Sequence, residues 1–346
     1  MKHKLPAIAC LVLGVARCAL SQEGLYGFPF IVPADPRSFA MGESFSALPA
    51  NPSALLYNPA GLAGLSGIRV SYSQRSLAGE YHGTLRSFNA VVGTPAGVFA
   101  AQYNRDYYGI LPMIVTDNGP LPVEAYDFDI GIGYALGLGR GFSIGGAAKY
   151  YDSRGLTPGP STGYSLSTTS MPARLFDIGL TYTLRRFHSQ VTLEDSLTLG
   201  MSYQNIGTGG SRTYPGVYIP ELDMQVGMPQ FFRAGLSYTL RVVPRATGDV
   251  SPFEAVFSGE YRSSQTTGGK DGAGLGMEFT IDEIVSLRAG ELIVSGASDG
   301  HIRYGGGVRL PFRSLGFDIA LQGAVIPWNS LYAFSIDVQF PVCPWN

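Results

Sequence analysis

Charge is scarce in this sequence, and long apolar runs are almost absent from it. Asp, Glu, Lys and Arg make up 14% of the 346 residues, whereas soluble domains usually contain about 25%. Beyond residue 21, no run approaches the ~18 apolar residues that a membrane-spanning helix needs. The composition therefore argues against both an ordinary soluble protein and a bundle of membrane helices. The formal net charge of −2 also gives no reason to expect a nucleic-acid partner.

Cysteine is rare too, with three in the chain, and two of them lie in a predicted signal peptide. The basic start MKHK precedes the short apolar run LPAIACLVLGVA and the small residues ALS. This pattern predicts Sec-dependent export with cleavage after Ser21, and Arg17 disfavours the alternative of a lipid anchor on Cys18. Cleavage removes three basic residues and no acidic one, so the net charge moves from −2 to −5. It leaves Cys343 as the last cysteine, which excludes a disulfide within the mature chain.

What the sequence does contain is alternation with a period of two. In AYDFDIGIGYAL (125–136), apolar residues alternate with aspartate, glycine and alanine. Successive side chains of a strand point to opposite faces, so one face is apolar and the other is polar or small. A soluble sandwich would bury the apolar face against a second sheet. Charge and glycine on the other face are instead typical of the wet interior of a membrane barrel, which is the fold that we favour.

The same alternation recurs and predicts fourteen antiparallel strands of about ten residues, an even number as bacterial transmembrane barrels have. The predicted strands are 67–76, 80–92, 97–105, 124–136, 141–152, 173–186, 196–206, 230–241, 253–262, 273–281, 284–291, 301–310, 316–325 and 331–340. Short and long connections mostly alternate, which places the short turns and both termini in the periplasm; the link at 187–195 is an exception. The last strand ends at Phe340, which resembles the aromatic signal read by the outer-membrane assembly machinery, although six residues follow it.

Residues 22–66, between the signal peptide and the first strand, show no such alternation. Two Asn-Pro steps, at 51–52 and 58–59, each combine an N-cap residue with proline at the first helical position. Helical turns of this length are not stable alone, so they need a surface to pack on. We therefore expect an all-β protein with a signal peptide at 1–21, a small helical plug at 22–66 and a transmembrane barrel at 67–346.

The stretch AMGESFSALPANPSALLYNPAGLAGL (40–65) resembles the segment that precedes the barrel in FadL-like outer-membrane proteins. These include transporters of long-chain fatty acids and aromatic hydrocarbons and the PorV-type relatives, and the chain is most similar to an uncharacterised FadL-like family of spirochaetes. The matching features are a glycine after a small-residue helix start, the Ala-Leu step and the run Y-N-P-A-G-L. The family usually has acidic residues before the helix, where this chain has Ala50, Asn51 and Pro52. The resemblance implies a plug inside the barrel and a hydrophobic substrate that leaves by passive diffusion through a wall opening near the third strand.

The resemblance also implies site residues in the plug and in one loop. The plug motif comprises Asn58, Pro59, Ala60 and Gly61. An apolar chamber would be lined by Phe39, Phe45, Leu55, Leu56 and Tyr57, unless these residues only attach the plug to the wall. The loop 207–229 would capture ligand through residues that include Tyr218, Ile219 and Met224. Because exposed apolar surface usually marks binding, the apolar stretch 106–115 is interpreted as a second ligand loop; mutual burial of the loops is the alternative.

Charges predicted on the inner face are mixed in sign and indicate either a network that braces the wall or a selectivity lining. They are Asp127, Asp129, Lys149, Asp177, Arg185, Arg233, Glu278, Arg288, Arg303, Arg309, Asp318 and Asp337. The stretch GFSIG (141–145) matches a nucleophile pattern, but its serine lies in a strand rather than in the required strand-to-helix turn. The three later histidines lack metal-ligand spacing, so we expect no metal and no cofactor.

Taken together, these patterns predict a non-enzymatic outer-membrane channel for hydrophobic small molecules, with long-chain fatty acids as the expected ligand and outer-membrane lipid around it. A structural or shuttle role in a secretion system, as in PorV-type relatives, is the first alternative, and a general porin is the second. An outer-membrane lipase or protease built around His188 or His301 is a third, which the plug and the strand count disfavour.

Overall fold

The structure is a computed structural model that describes residues 35–76, 83–116, 119–156, 168–170, 172–188, 193–208, 210–211, 225–226, 228–242, 251–265, 271–295, 301–310, 315–322 and 332–340. The predicted signal peptide lies outside these ranges. So do the predicted capture residues Tyr218, Ile219 and Met224.

Strands make up most of the described chain. In chain order they are β1 (Gly67–Ser76), β2 (Thr84–Thr94), β3 (Gly97–Thr116), β4 (Gly119–Gly139), β5 (Phe142–Leu156), β6 (Thr168–Ser170), β7 (Ala173–His188), β8 (Leu193–Thr208), β9 (Gly210–Ser211), β10 (Gln225–Val226), β11 (Phe231–Val242), β12 (Phe253–Ser264), β13 (Gly272–Ile281), β14 (Val285–Val294), β15 (His301–Arg309), β16 (Leu315–Gln322) and β17 (Tyr332–Phe340). Neighbouring strands pair antiparallel, so the all-β antiparallel class predicted from the alternation is confirmed.

The main sheet runs in the order β4-β3-β2-β1-β17-β16-β15-β14-β13-β12-β11-β8-β7-β5-β6. A further ladder joins β4 to β5, from the pair Glu124–Leu156 to the pair Gly139–Phe142. β1 and β17, which lie far apart in the chain, are paired from Ile68 to Arg75 of β1. Each long strand therefore has a hydrogen-bonded neighbour on both sides. The short strands β9 and β10 form a separate two-stranded sheet.

The two faces of the main sheet differ in what they expose. On β4, Ile130 and Ile132 are 50% and 64% exposed, while Asp127 and Asp129 on the other face are buried. The other long strands whose side chains the structure describes show the same division, with large apolar side chains exposed and serine, aspartate, arginine and glycine turned to the covered face. The predicted apolar face is therefore the outer one.

Aromatic side chains form two rows on this outer face. The first aromatic row crosses six neighbouring strands, from β17 through β1 to β5, with adjacent ring centroids 4.7–6.5 Å apart. Its members are Phe334, Tyr72, Phe88, Tyr103, Phe128 and Tyr150. The second aromatic row lies towards the end of the sheet where β2 turns into β3, and includes the pairs Phe99–Tyr134 and Phe142–Tyr182. Such rows flank the apolar band of transmembrane barrels.

One predicted loop is a strand instead. The stretch 106–115, interpreted as an apolar ligand loop, lies within β3, and β4 already begins at Gly119. Glycine and proline, at 109 and 112 here, usually interrupt a strand. In this hairpin the ladder continues past them, with register shifts after Tyr107 and after Leu111.

The predicted link at 187–195 is also shorter than expected. β7 continues to His188 and β8 begins at Leu193, so part of the predicted link belongs to the two strands. The connection between β7 and β8 is therefore one of the short ones.

Residues 35–66, which we call the N-terminal segment, contain three short helices. These are the α-helix α1 (Pro36–Ala40) and the 3₁₀ helices η1 (Pro52–Leu56) and η2 (Pro59–Leu62). Each begins with proline, and the side chain of its N-cap residue accepts a hydrogen bond from the backbone N–H two residues later. The N-caps predicted at Asn51 and Asn58 are therefore confirmed. Among the described helices, none has the length and apolarity to cross a bilayer.

Candidate functional site

The N-terminal segment lies on the covered face of the sheet, where glycines let its backbone approach the strands. A Cβ atom at Gly200 would overlap the backbone of Ser46, and one at Gly276 would overlap the backbone of Met41. Glycines whose added Cβ would meet the segment in this way are Gly93, Gly133, Gly145, Gly179, Gly200, Gly235, Gly274, Gly276 and Gly290. The glycines of the alternating pattern thus form the floor on which the segment rests.

Glu43 fixes the segment to two strands at once. Its Oε2 accepts a hydrogen bond from Arg262 Nη1 at 3.1 Å, and its Oε1 accepts one from Arg303 Nη1 at 2.9 Å. Burial alone would raise the pKa of Glu43, but Arg303 and Arg262 together hold that pKa below its ordinary value. Glu43 also has a left-handed backbone, with a φ of 63°, which is uncommon outside glycine. A fully paired, buried carboxylate therefore joins the segment to β12 and β15.

Glu260 of β12 binds the main chain of the segment directly. Its Oε2 accepts hydrogen bonds from the backbone N–H groups of Phe45 and Ser46 at 2.9 and 2.7 Å. Its Oε1 accepts one from Arg233 Nη1 at 2.6 Å, and the Arg233 guanidinium lies 5.2 Å from the centre of the Tyr57 ring. Hydrogen bonds to an ionised acceptor are the stronger ones, so this contact holds the segment's backbone in one position.

In a third ionic contact the segment supplies the cation and the sheet supplies the carboxylate. Arg37 of α1 donates from Nε and Nη2 to the two carboxylate oxygens of Glu278 on β13, at 3.0 and 2.8 Å. Arg288 of the neighbouring β14 contacts the same carboxylate. A bidentate pair of this kind fixes orientation as well as distance.

The predicted plug motif forms one compact turn against the sheet. Asn58 donates from Nδ2 to the carbonyl oxygens of Ser46 and Leu180, at 2.8 and 3.1 Å, and its Oδ1 accepts from the N–H of Ala60 at 3.1 Å. Pro59 and Ala60 lie on Gly145, and the Gly61 N–H donates to the Asn58 carbonyl at 2.9 Å. The four motif residues are thus brought together.

The five residues predicted to line an apolar chamber are all buried, in three separate clusters. Phe39 packs with Ala40 and Ala333. Phe45, Leu56 and Tyr57 pack with Met41, Leu48 and Val256. Leu55 packs with residues of η1, η2 and β2 to β5, among them Leu62 and Val91. The structure therefore places these side chains at the contact between segment and sheet. Their role in binding a substrate stays a prediction.

A cavity of about 380 Å³ lies beneath the segment, at the end of the sheet where β2 turns into β3. Its ceiling includes Asp35, Arg37 and residues 49–53 of the segment, and its walls come from β1, β11 to β15 and β17. Five arginine and five carboxylate side chains line it. Because transfer of charged groups away from water is costly, such a space suits water and ions rather than apolar molecules.

The remaining inner charges are mostly paired across strands. Lys149 Nζ lies 2.5 Å from Asp177 Oδ2, and Asp129 accepts hydrogen bonds from Gln102 and Asn104 at 2.8–3.0 Å. These contacts favour the network interpretation over a selectivity lining. Arg185 and Arg309, near the ends of β7 and β15, are exposed, and Arg309 lines the cavity beneath the segment. Within the described ranges, no cluster of three His, Cys, Asp or Glu residues is placed to hold a metal ion.

Sequence reasoning missed three of the residues that anchor the segment: Glu43, Glu260 and Arg262. Glu260 and Arg262 share the inner face of β12 with Ser258, so extending the alternation along that strand would have identified them. Glu43 gave a weaker signal, as one of the few charged residues in a charge-poor segment. The family's usual acidic residues correspond to positions 50–52, whereas the acidic anchor of this chain, Glu43, lies upstream.

The fold is similar to that of solved hydrocarbon transporters. The toluene transporter TbuX of Ralstonia pickettii superposes with a TM-score of 0.50 at 14% identity, over 88% of this chain and 98% of that one. The toluene transporter TodX of P. putida superposes with a TM-score of 0.52 at 13% identity, over 89% and 99% of the two chains. For the monoaromatic hydrocarbon channel CymD the TM-score is 0.52 at 10% identity, over 89% and 97%.

The chain shares their fold. No protein-family model matches it, and no curated protein sequence does. At such low identities the likeness concerns the fold alone, and at that level it confirms the resemblance to FadL-like proteins that residues 40–65 indicate.

Proposed function

We propose that the chain is an outer-membrane channel for hydrophobic small molecules, built as a fourteen-stranded barrel that the N-terminal segment plugs. The ladders that join β1 to β17 and β4 to β5 support a closed wall. The glycine floor and the buried ion pairs of Glu43 support a plug inside it. Sec-dependent export with removal of residues 1–21 belongs to the same proposal. So does recognition of the last strand by the assembly machinery, supported by the exposed Phe340.

The observation that carries the proposal is the exposed apolar face. Large apolar side chains are exposed on β1 to β5, β7, β8, β11 to β15 and β17. Soluble monomers rarely expose apolar patches of more than a few hundred Å², whereas lipid solvates such a face. The two aromatic rows then mark the two interfaces of the bilayer.

The polar cavity indicates the route that an apolar cargo takes. Straight passage would carry the cargo past the segment and through a space lined by ten charged side chains. Exit through the wall into the membrane avoids that cost. An opening of the wall near the third strand, which the resemblance of residues 40–65 implies, belongs to the same proposal.

Long-chain fatty acids are the first cargo to test, and monoaromatic hydrocarbons are the second, because channels of similar fold carry toluene or monoaromatic hydrocarbons in their names. The purified protein is reconstituted into vesicles, and uptake of labelled oleate and of toluene is compared with that of empty vesicles. The proposal predicts saturable uptake of at least one of them with little ion conductance. Uptake equal to that of empty vesicles for both would overturn it, and high conductance with the segment in place would indicate a general porin.

A structural or shuttle role is the second candidate, and the firm anchoring of the segment favours it. Glu43 and Glu260 tie the segment to the sheet through buried contacts and Arg37 through a partly buried one, as suits a part that does not move. Purification from native membranes separates the two candidates. A stoichiometric protein partner together with a lumen free of lipid would support the structural role.

A further inference from the structure

A groove of about 430 Å³ on the outer face of the sheet combines aromatic rings with two arginines. It is lined by Tyr72 of β1, Arg86 and Phe88 of β2, and Tyr103 and Arg105 of β3. The three rings belong to the first aromatic row. The two arginines lie directly opposite each other in the β2–β3 ladder.

Both arginines are on the outer face. Arg86 lies two residues from the exposed Phe88, and Arg105 lies two residues from Tyr103, so each shares the face of its aromatic neighbour. The residues that alternate with them, Ser87 and Asn104, are buried on the covered face. The groove is therefore separate from the cavity beneath the segment.

The positive charge of the groove is not neutralised within the described ranges. Like charges directly opposite on neighbouring strands are destabilising, and no described carboxylate lies within ion-pair distance of Arg86 or Arg105. Asp152, an acid on the neighbouring part of the sheet, is bonded to Arg154 at 2.8 Å. The Arg105 guanidinium stacks over the Tyr126 ring, 4.7 Å from its centre, and its buried Nε has no hydrogen-bond partner among the described residues.

The height of the groove suggests what that anion is. An aromatic row marks the bilayer interface, and the arginines lie one outward position beyond it, about 7 Å further along each strand. They lie towards the end of the sheet where β1 leads into β2. This is the level of lipid headgroups, just above the acyl chains.

We propose that this groove binds a lipid with an anionic phosphate headgroup, whose phosphate lies between Arg86 and Arg105 and whose acyl chain lies on Tyr72, Phe88 and Tyr103. Guanidinium forks bind phosphate through paired hydrogen bonds, and the rings offer an apolar bed that free phosphate does not use. The site rests on the proposed insertion in a membrane, but it does not depend on what the channel carries.

The test measures lipid binding to the full-length protein in detergent by native mass spectrometry. The probes are dipalmitoyl phosphatidic acid, dipalmitoylglycerol, which lacks the phosphate, and inorganic phosphate. Wild type should bind phosphatidic acid at least tenfold more tightly than the diacylglycerol, because the charged hydrogen bonds are lost with the phosphate. Arg86→Gln with Arg105→Gln should remove most of that difference. Arg174→Gln is the control, because Arg174 is an exposed outer-face arginine outside the groove. In this variant the preference for phosphatidic acid over the diacylglycerol should stay within about twofold of the wild-type preference, which is the usual error of ΔΔG comparisons.

Equal binding of the two lipids by wild type, or an equal loss in the Arg174 variant, would overturn the proposal. Full competition by inorganic phosphate at equimolar concentration would also overturn it, because it would show a free-anion site. Should the double variant fail to fold, Arg86→Lys keeps the charge and removes the fork, and it should bind phosphatidic acid severalfold less tightly. Uptake of oleate or toluene by the double variant should equal that of wild type, so that loss of lipid binding and loss of transport are distinguishable.

Discussion

The side chain of Asn58 lies directly on Gly179 of β7, so that a Cβ atom at Gly179 would overlap the Asn58 amide oxygen. The same amide caps η2 and bonds to the carbonyl of Leu180. Asn58 belongs to the motif that carries the family resemblance. It reaches the sheet because residue 179 is a glycine and has no side chain.

Substitution of Gly179 should dislodge this turn. We expect Gly179→Ala to destabilise the protein by about 1–3 kcal/mol, because overpacking of a close contact forces the backbone to shift. Urea unfolding in micelles measures the change. The control is Gly137→Ala on β4, where an added Cβ meets no atom within 4 Å, and equal stability of the two variants would show that the contact does not hold the segment.

Strand positions were predictable because alternation is a local property. β1 was predicted with the bounds that the structure has, and the outward position of residues such as Ile132 follows from the period of two. The long β3–β4 hairpin was not predictable, because Gly109 and Pro112 read locally as breaks and the pairing with β4 overrides them.

The anchoring of the segment was largely invisible in the sequence. Glu43 meets Arg262 and Arg303 across 219 and 260 residues of chain, and no local pattern links residues so far apart. The sequence predicted the glycines as small residues of the inner face. It could not predict that the N-terminal segment packs on them, because that depends on a distant part of the chain. Asn51 and Asn58 were predictable as caps because capping is determined within three residues.

Glu43→Gln should lower the free energy of unfolding far more than Glu254→Gln, which removes a carboxylate from an ion pair near the surface. Breaking a buried ion pair costs about 3–5 kcal/mol, since the partner charges stay buried without compensation. Glu254→Gln is the matched control, because Glu254 pairs with Arg241 near the surface, where such pairs contribute about 0–1 kcal/mol. Urea unfolding of both variants measures the difference, and similar losses would contradict the anchoring role.

The Glu43 contacts should also make stability depend on pH. The pKa of Glu43 is lowered in the folded protein, so its ion pairs stabilise the fold above the unfolded-state pKa of about 4.3. This stabilisation is lost as the pH falls through the folded-state pKa. The stability difference between wild type and Glu43→Gln should therefore be constant from pH 7 to pH 5 and shrink below pH 4; a difference that grows with acid would have the wrong sign.

A covalent tie between segment and sheet should leave transport unchanged. The hydroxyl oxygens of Ser44 and Ser258 lie 2.6 Å apart, close enough for cysteines at both positions to form a disulfide. We expect the oxidised Ser44→Cys, Ser258→Cys protein, with Cys343→Ser to avoid mispairing, to take up cargo as fast as its reduced form, because the cargo leaves through the wall. A loss of uptake that reduction restores would show that the segment moves as a gate.

Charge on the outer face should be tolerated only near the ends of the strands. Ile132 lies between the two aromatic rows, whereas Leu138 lies beside the turn at 140–141, and both are exposed. In a bilayer, Ile132→Arg should cost about 2–4 kcal/mol and Leu138→Arg about 0–1 kcal/mol, because the penalty for a lipid-facing charge falls from the midplane to the interface. Both costs are measured by folding each variant into lipid vesicles. Folding into a soluble form without lipid is the comparison. Equal tolerance of the two substitutions would mean that water rather than lipid covers this face, and it would remove the basis for a membrane channel.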